Sequence, residues 1–151
     1  MRISHRPTIF GFVSLLALGA VASTSRGDDE VKKVANDPAG ETINARDPRA
    51  RPLFYILVAT LDSDIDLFKF AFSPRVSERI KEKDWPRGLA VYQRQLKEQL
   101  GDYKLEDLSK VRFRFQGTET EGRLSIVDRK GKSDATLRII KTAAGWKLNE
   151  R

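Results

Sequence analysis

Hydrophobic positions change their spacing near Lys110. Before that residue, apolar side chains recur every three or four positions, and after it they alternate with polar ones. The first spacing is typical of helices and the second of strands with one buried face. The clearest predicted helix begins near Pro86 and ends before Gly101, with Arg94 on its polar face. Its apolar stripe consists of Leu89, Tyr92, Leu96 and Leu100.

Two shorter helices and a third helix start are predicted upstream. Residues 53–61 are apolar at every position except Thr60. A run this short fits either a helix or a strand, and the polar exit that follows favours a buried helix. Asp64 is a suitable N-cap for a second helix, and Ser73 with Pro74 is suitable for a third. Asp62, Asp64 and Asp66 are therefore interpreted as capping residues rather than catalytic carboxylates.

Four strands are predicted after Lys110, joined by short turns that contain glycine. The alternation directs one set of side chains inward: Val111, Phe113, Phe115, Leu124, Ile126, Ala135, Leu137, Ile139, Trp146 and Leu148. Gly145 allows the last turn, so Trp146 begins the final strand. We therefore predict an α+β fold in which N-terminal helices pack on a curved four-stranded antiparallel sheet.

The N-terminus is typical of a secretory signal. Arg2 and Arg6 precede an apolar run over residues 9–22, which ends in Ala20, Val21 and Ala22. The run is shorter than the roughly 20 residues of a membrane span, and its end fits signal peptidase. We predict a signal peptide over 1–22, the general secretory route, a periplasmic or extracellular location, and no transmembrane span in the mature chain. The alternatives are a core helix or a short membrane anchor.

The segment that follows the signal, residues 23–50, is rich in Gly, Pro, Asp and Asn and has no sustained apolar period. It is predicted to be a flexible linker, so the folded domain is predicted over 51–151.

The composition excludes several kinds of active site. The chain has no cysteine, and its single histidine and single methionine, His5 and Met1, belong to the predicted signal. The mature chain would therefore lack the side chains of Ser-His-Asp and Cys-His triads and of zinc sites. No loop has the spacing of an EF-hand. We predict no metal site and no cofactor.

The order of elements resembles a known superfamily. A helix pair around ATLDSDIDLFKFAFSP, then a long helix, then a meander that closes on GWKLNE resembles the nuclear-transport-factor-2-like superfamily, in particular its small exported bacterial members. The resemblance covers residues 51–151 and implies a cystatin-like, cone-type sheet around a pocket under the helices. Some members of that superfamily are isomerases, dehydratases, cyclases or epoxide hydrolases, and others only bind ligands or partners. Dimers through the sheet are frequent, which makes a homodimer one implied partner arrangement.

On that resemblance, the candidate pocket residues are Tyr55, Trp85, Tyr92, Phe113 and Trp146, although Trp85 and Tyr92 also suit a plain core. Enzyme members usually carry an Asp, His or Tyr inside the cone. Here three polar residues are in phase with the inner face: Asp128, Lys141 and Glu150. All three fall at strand ends, where a side chain is poorly placed for proton transfer in a deep pocket. We therefore predict no catalytic residue.

The outward positions of the strands carry a basic set. The whole chain has 28 Lys and Arg against 21 Asp and Glu, a formal charge of +7. The outward residues are Arg112, Arg114, Arg123, Arg138 and Lys147, and the alternation assigns no acid to that face. The stripe suits an anionic partner or is an ordinary solvated face. Val127 and Ile140 share the face and suit a dimer contact. Nucleic acid is an unfavourable partner because the stripe lacks aromatic side chains.

Three functions remain open at this stage. The favoured one is an exported, non-catalytic module that binds a small ligand or a protein partner. The second is a lyase or isomerase that uses Tyr55, Tyr92 or an Asp in the pocket. The third is an accessory factor that docks on an anionic envelope surface through the basic face.

The position of Trp146 generates a prediction about folding. If this ring closes the core against Leu89, Tyr92 or Phe113, the last residues are part of the fold. A chain truncated before Gly145 should then fail to unfold cooperatively in a thermal scan followed by circular dichroism. A sharp transition in the truncated chain would contradict the prediction.

Overall fold

The computed structural model describes residues 40–133 and 135–150 and has five antiparallel strands in a single sheet. Their spatial order follows the chain order, so each strand pairs with the next. The strands are β1 (Glu41–Asn44), β2 (Arg112–Gly117), β3 (Glu121–Val127), β4 (Leu137–Thr142) and β5 (Gly145–Leu148).

Four α-helices lie between β1 and β2. They are α1 (Arg51–Asp62), α2 (Ile65–Phe70), α3 (Pro74–Ser77) and α4 (Trp85–Leu100). Short 3₁₀ helices cover Pro48–Ala50, Glu82–Asp84 and Leu105–Lys110. The Asp64 carboxylate accepts the backbone N–H of Leu67 at 2.9 Å, so this residue caps α2.

The helices and the antiparallel sheet together confirm the predicted α+β class.

The helices cover the face of the sheet that the alternation assigned to the core. Phe113 pairs with Ile126 and Phe115 with Leu124, and all four side chains are buried. α1 contacts both β3 and β5. Since a shift of one residue would have turned this apolar set to the other face, the register of β2 and β3 follows from the sequence pattern.

The predicted number of strands is wrong, because the sheet has five. The additional strand, β1, lies inside the segment that was predicted to be a flexible linker. Ile43 buries its side chain opposite Phe113, and the 3₁₀ helix Pro48–Ala50 follows. The linker prediction is therefore corrected for residues 41–50. Residues 1–39, which contain the predicted signal peptide and the rest of the predicted linker, lie outside the described residues.

The final strand places Trp146 and Leu148 on the same face, as predicted. The Trp146 ring contacts Phe115 edge-on, with 5.8 Å between ring centroids, a partner that was not predicted from the sequence. Gly145 has a φ of 97°, a conformation that suits glycine. Within the described ranges, no helix is both long and apolar enough to cross a membrane.

An arginine holds β1 and the following turn together. Arg49 donates to the carboxylates of Glu41 at 2.8 Å and Asp47 at 2.6 Å, and its guanidinium carbon lies 4.6 Å from the centre of the Phe115 ring. Hydrogen bonds from Arg49 lower the pKa of the Asp47 carboxyl and of the Glu41 carboxyl. The charged forms of both acids are therefore favoured in the folded state.

We predict that Arg49→Gln lowers the urea midpoint of unfolding at pH 7, and that this loss shrinks as the pH falls below about 4. A carboxyl whose pKa is lowered by folding contributes stability above its ordinary pKa and loses it as it becomes protonated. Urea titrations across this pH range would measure the effect. The control is Arg94→Gln on the exposed face of α4, for which we expect no such pH dependence. A pH-independent loss for Arg49→Gln would contradict the ion-pair explanation.

Candidate functional site

A small cavity lies between α1, α4 and the sheet. Its apolar wall is formed by Leu53, Ile56, Leu96, Ile126, Ala135 and Leu137. The polar members of its wall are Tyr92, Gln95 and Gln99, all from α4. The cavity measures about 30 Å³, which is room for roughly one or two water molecules.

The spacing of the three polar residues along α4 explains why they share the cavity. Positions three and seven residues after Tyr92 fall on the same face of an α-helix. The Nε2 of Gln99 donates to the backbone carbonyl of Ile126 at 3.4 Å, which joins α4 to β3. Gln95 lies between the two and is buried at 8% exposure.

Two of these side chains have buried polar atoms without a partner among the described residues. They are the hydroxyl of Tyr92, a residue only 4% exposed, and the Oε1 of Gln95. Most buried polar atoms in proteins are hydrogen-bonded, and leaving one unsatisfied costs about 1–3 kcal/mol. Both residues line the same cavity, so a molecule inside it could supply the missing bonds.

Glu150 is the acidic group whose charge acts on Tyr92. Its carboxylate accepts the backbone N–H of Arg138. Burial raises the pKa of the Glu150 carboxyl, while that hydrogen bond and the charges of Arg138 and Arg123 oppose the rise. Burial, and secondarily the charge of Glu150, raises the pKa of the Tyr92 hydroxyl well above its usual value. Tyr92 therefore remains protonated at neutral pH.

This pair of groups does not form a convincing acid–base site. Small-molecule sites usually enclose roughly 300–1,000 Å³, and the cavity beside Tyr92 is far smaller. The carboxylate of Glu150 is not part of the cavity wall. The arrangement can bind a small molecule through a hydroxyl and an amide, but it leaves little space for a substrate and its transition state.

The other predicted pocket residues do not gather at the cavity. Trp85 packs against Phe68 and Phe72, with ring centroids 6.0 and 5.5 Å away. Tyr55 lies 5.5 Å from Phe70 by the same measure. Phe113 is fully buried in the core, and Trp146 contacts Phe115. Of the five predicted residues, only Tyr92 lines the cavity.

Gln95 and Gln99 were missed by the sequence analysis. Glutamines are usually assigned to solvent, and the predicted stripe of α4 included only its apolar and aromatic members. The signal was nevertheless present, because both residues are in helical phase with Tyr92.

The predicted basic face is only partly basic. Arg112 and Arg123 are exposed, whereas Arg114 and Arg138 are half-buried. Arg138 forms an ion pair with Glu121 at 3.1 Å. Glu121 shares the outward face with Arg123, because the two are separated by one residue of β3. The expectation that this face carries no acid was therefore wrong.

Lys147 also departs from the predicted face. Its register position is outward, opposite Ile140, but the residue is only 4% exposed. Its ammonium donates to the carbonyl of Phe70 and lies 3.1 Å from the centre of the Phe70 ring. Burial lowers the pKa of this amine. A long side chain can thus bend over the sheet edge and cover an aromatic ring, which strand alternation alone does not reveal.

No cluster of three or more His, Cys, Asp or Glu side chains is placed to hold a metal ion in residues 40–133 and 135–150. The chain matches no family model, and no curated protein or solved structure matches it significantly. The functional inference therefore rests on the geometry of the chain itself.

Comparing the removal of the Tyr92 hydroxyl with the removal of the Tyr103 hydroxyl tests whether the Tyr92 hydroxyl lacks a partner in the protein. The hydroxyls of Tyr103 and Thr60 are 2.6 Å apart, and Thr60 also bonds the carbonyl of Leu57 at 2.8 Å. We predict that Tyr103→Phe lowers the free energy of unfolding by about 1 kcal/mol, the usual worth of one hydrogen bond. Tyr92→Phe should leave it unchanged or raise it, because no bond to the protein is lost. Urea unfolding of the full chain measures both, and an equal loss in the two variants would contradict the prediction.

Proposed function

We propose that the chain is an exported, non-catalytic module that binds a small neutral molecule in the cavity beneath α1 and α4. The observation that carries the proposal is a pair of unpartnered polar atoms, the Tyr92 hydroxyl and the Gln95 Oε1, on residues that line one mostly apolar cavity. Unsatisfied groups in a folded protein call for a partner, and here both belong to residues that line one cavity.

The two atoms define the chemistry of the ligand. The Tyr92 hydroxyl can donate a hydrogen bond, and the Gln95 Oε1 can only accept one. A matching ligand carries an acceptor and a donor, as primary amides and alcohols do. It is neutral because no charged side chain lines the cavity and burying an unpaired charge is costly. Its apolar part would lie against Leu53 and Ile56.

The cavity holds only about one or two waters as it stands, so binding of an organic molecule requires the wall to widen. Gln99 and Ala135 are the partly exposed members of the wall, so widening at this side would give access from solvent. We propose this side as the entrance.

The proposal retains the family and location inferred from the sequence. Helices that precede an antiparallel meander support membership of the nuclear-transport-factor-2-like superfamily and a cone-type sheet. The apolar run over residues 9–22 supports export by the secretory route. Val127 and Ile140 are half-exposed on the outer face and support a homodimer through the sheet. The envelope-docking alternative is weakened by the burial of Lys147 and the pairing of Arg138.

Isobutyramide is a suitable probe because it offers a carbonyl, an amide NH₂ and a small apolar body. We predict a saturable, millimolar interaction with the full chain in ¹⁵N-edited NMR spectra, with shifts of the Gln95 and Gln99 side-chain amides. Tyr92→Phe should weaken binding about five-fold or more, the equivalent of one neutral hydrogen bond of about 1 kcal/mol. The partnered tyrosine supplies the control, Tyr103→Phe, which should bind as the unaltered chain does.

Three outcomes would overturn the proposal. The first is no saturable shift with isobutyramide. The second is binding that is unaffected by Tyr92→Phe. The third is equal binding of the isobutyrate anion, which an uncharged cavity should reject.

A further inference from the structure

A second concave surface lies at the end of the sheet, away from the cavity. It is formed where β1 ends, where α1 begins and where the 3₁₀ helix Leu105–Lys110 leads into β2. Its volume is about 520 Å³, within the range of small-molecule sites. It shares no lining residue with the cavity beneath the helices. We call it the arginine groove, after Arg46 and Arg112 in its wall.

Part of the lining of the arginine groove, here called its floor, is apolar. Phe54 of α1 and Leu108 of the 3₁₀ helix contribute to it, and Leu105 stands beside them. Leu105 is 62% exposed, more than any other large hydrophobic residue in the described ranges. A single exposed leucine is ordinary. Leu105, however, shares a concave surface with the partly exposed Phe54, so an apolar ligand could bury both.

The rim of the groove carries positive charge that the protein does not neutralise. Among the described residues, neither the Arg46 nor the Arg112 guanidinium has an ion pair or a hydrogen bond, whereas Arg49 and Arg138 do. No Asp or Glu lines the groove.

Three acids lie close to the groove residues along the chain, and one of them, the exposed Glu106 beside Leu105, does not line the groove. Asp47 is bonded to Arg49, and Asp107 accepts the backbone N–H of Lys104 at 3.0 Å. The two exposed guanidinium groups are therefore available to an external anion.

We propose that the arginine groove binds a free amphipathic monocarboxylate. Its carboxylate would bond Arg46 and Arg112, and its hydrocarbon part would cover Phe54 and Leu105. Arginine matches a carboxylate through two parallel N–H···O bonds. Inorganic phosphate would satisfy the arginines but leave the apolar floor exposed, and a plain alcohol would do the reverse. Only a ligand with both parts uses the whole groove.

The test uses octanoate as the probe and the full chain in ¹⁵N-edited NMR spectra. Octanoate should produce saturable shifts in the backbone signals of Arg46, Phe54, Leu105 and Arg112. Octanol, acetate and inorganic phosphate should each bind at least about ten-fold more weakly, because each lacks one of the two contacts.

Substitutions test whether octanoate binds in the arginine groove. Arg112→Gln should weaken octanoate binding about ten-fold, the usual worth of a charge-assisted hydrogen bond. Leu105→Ser should weaken octanoate binding and leave acetate binding unchanged. The matched control is Arg123→Gln, which removes an exposed arginine of the same sheet outside the groove. All three positions are exposed, and the unperturbed signals of each variant report that it is folded.

Several results would overturn the proposal: no saturation with octanoate, equal binding by octanol, or equal weakening by Arg123→Gln. Binding to vesicles that contain phosphatidylglycerol, without binding of free octanoate, would overturn it in favour of a membrane surface. The groove and the cavity share no lining residue. A failure of octanoate to bind would therefore leave the proposed binding of isobutyramide in the cavity unaffected.

Discussion

The last strand is hydrogen-bonded along both of its edges, and the position of the helices over the sheet depends on this. One edge of β5 pairs with β4. On the other edge, Leu148 donates to the carbonyl of Ala71 and accepts from the N–H of Ser73, both at 2.8 Å. The hydroxyl of Ser73 also bonds the side chain of Asn149 at 2.7 Å. The link between α2 and α3 thus covers an edge that would otherwise be open. This contact joins segments that are distant in sequence. It therefore holds the helices, and the cavity beneath them, against the end of the sheet.

The sequence pattern predicts the elements whose register is set by one buried face. β2 alternates strictly, so its inner and outer residues follow from the pattern. β1 was missed for a physical reason. It has four residues, only Ile43 among them is buried, and its flanks are rich in turn-forming residues. Its pairing partner, β2, lies far along the chain, and Arg49 supplies the bonds that stabilise it. A short strand held by distant partners leaves almost no local signal.

The candidate site was predictable only in part. Tyr92 was recognised as an aromatic residue on the apolar stripe of α4, and Gln95 and Gln99 could have been found from the same helical phase. The cavity itself could not, because it depends on how closely α1 packs against β3 and α4. Trp85, Phe113 and Trp146 fill the core instead, since packing stabilises large side chains there, and Tyr55 lies half-buried against Phe70. Lys147 shows a further limit: alternation predicts the side of a strand but not the depth of burial, and a long side chain can bend over an edge.

The positive formal charge does not form one functional surface. Arg49 and Arg138 are used in ion pairs, and Lys147 covers an aromatic ring. Among the described residues, the guanidinium groups of Arg46 and Arg112 at the arginine groove have no partner, while the cavity beneath α4 has no charged lining residue. The two sites therefore place opposite demands on a ligand. An anion entering the cavity would lose its hydration with no cation to replace it, and a neutral amide at the groove would leave both guanidinium groups unpaired. The ligands proposed for the two sites therefore differ in charge, and neither should displace the other.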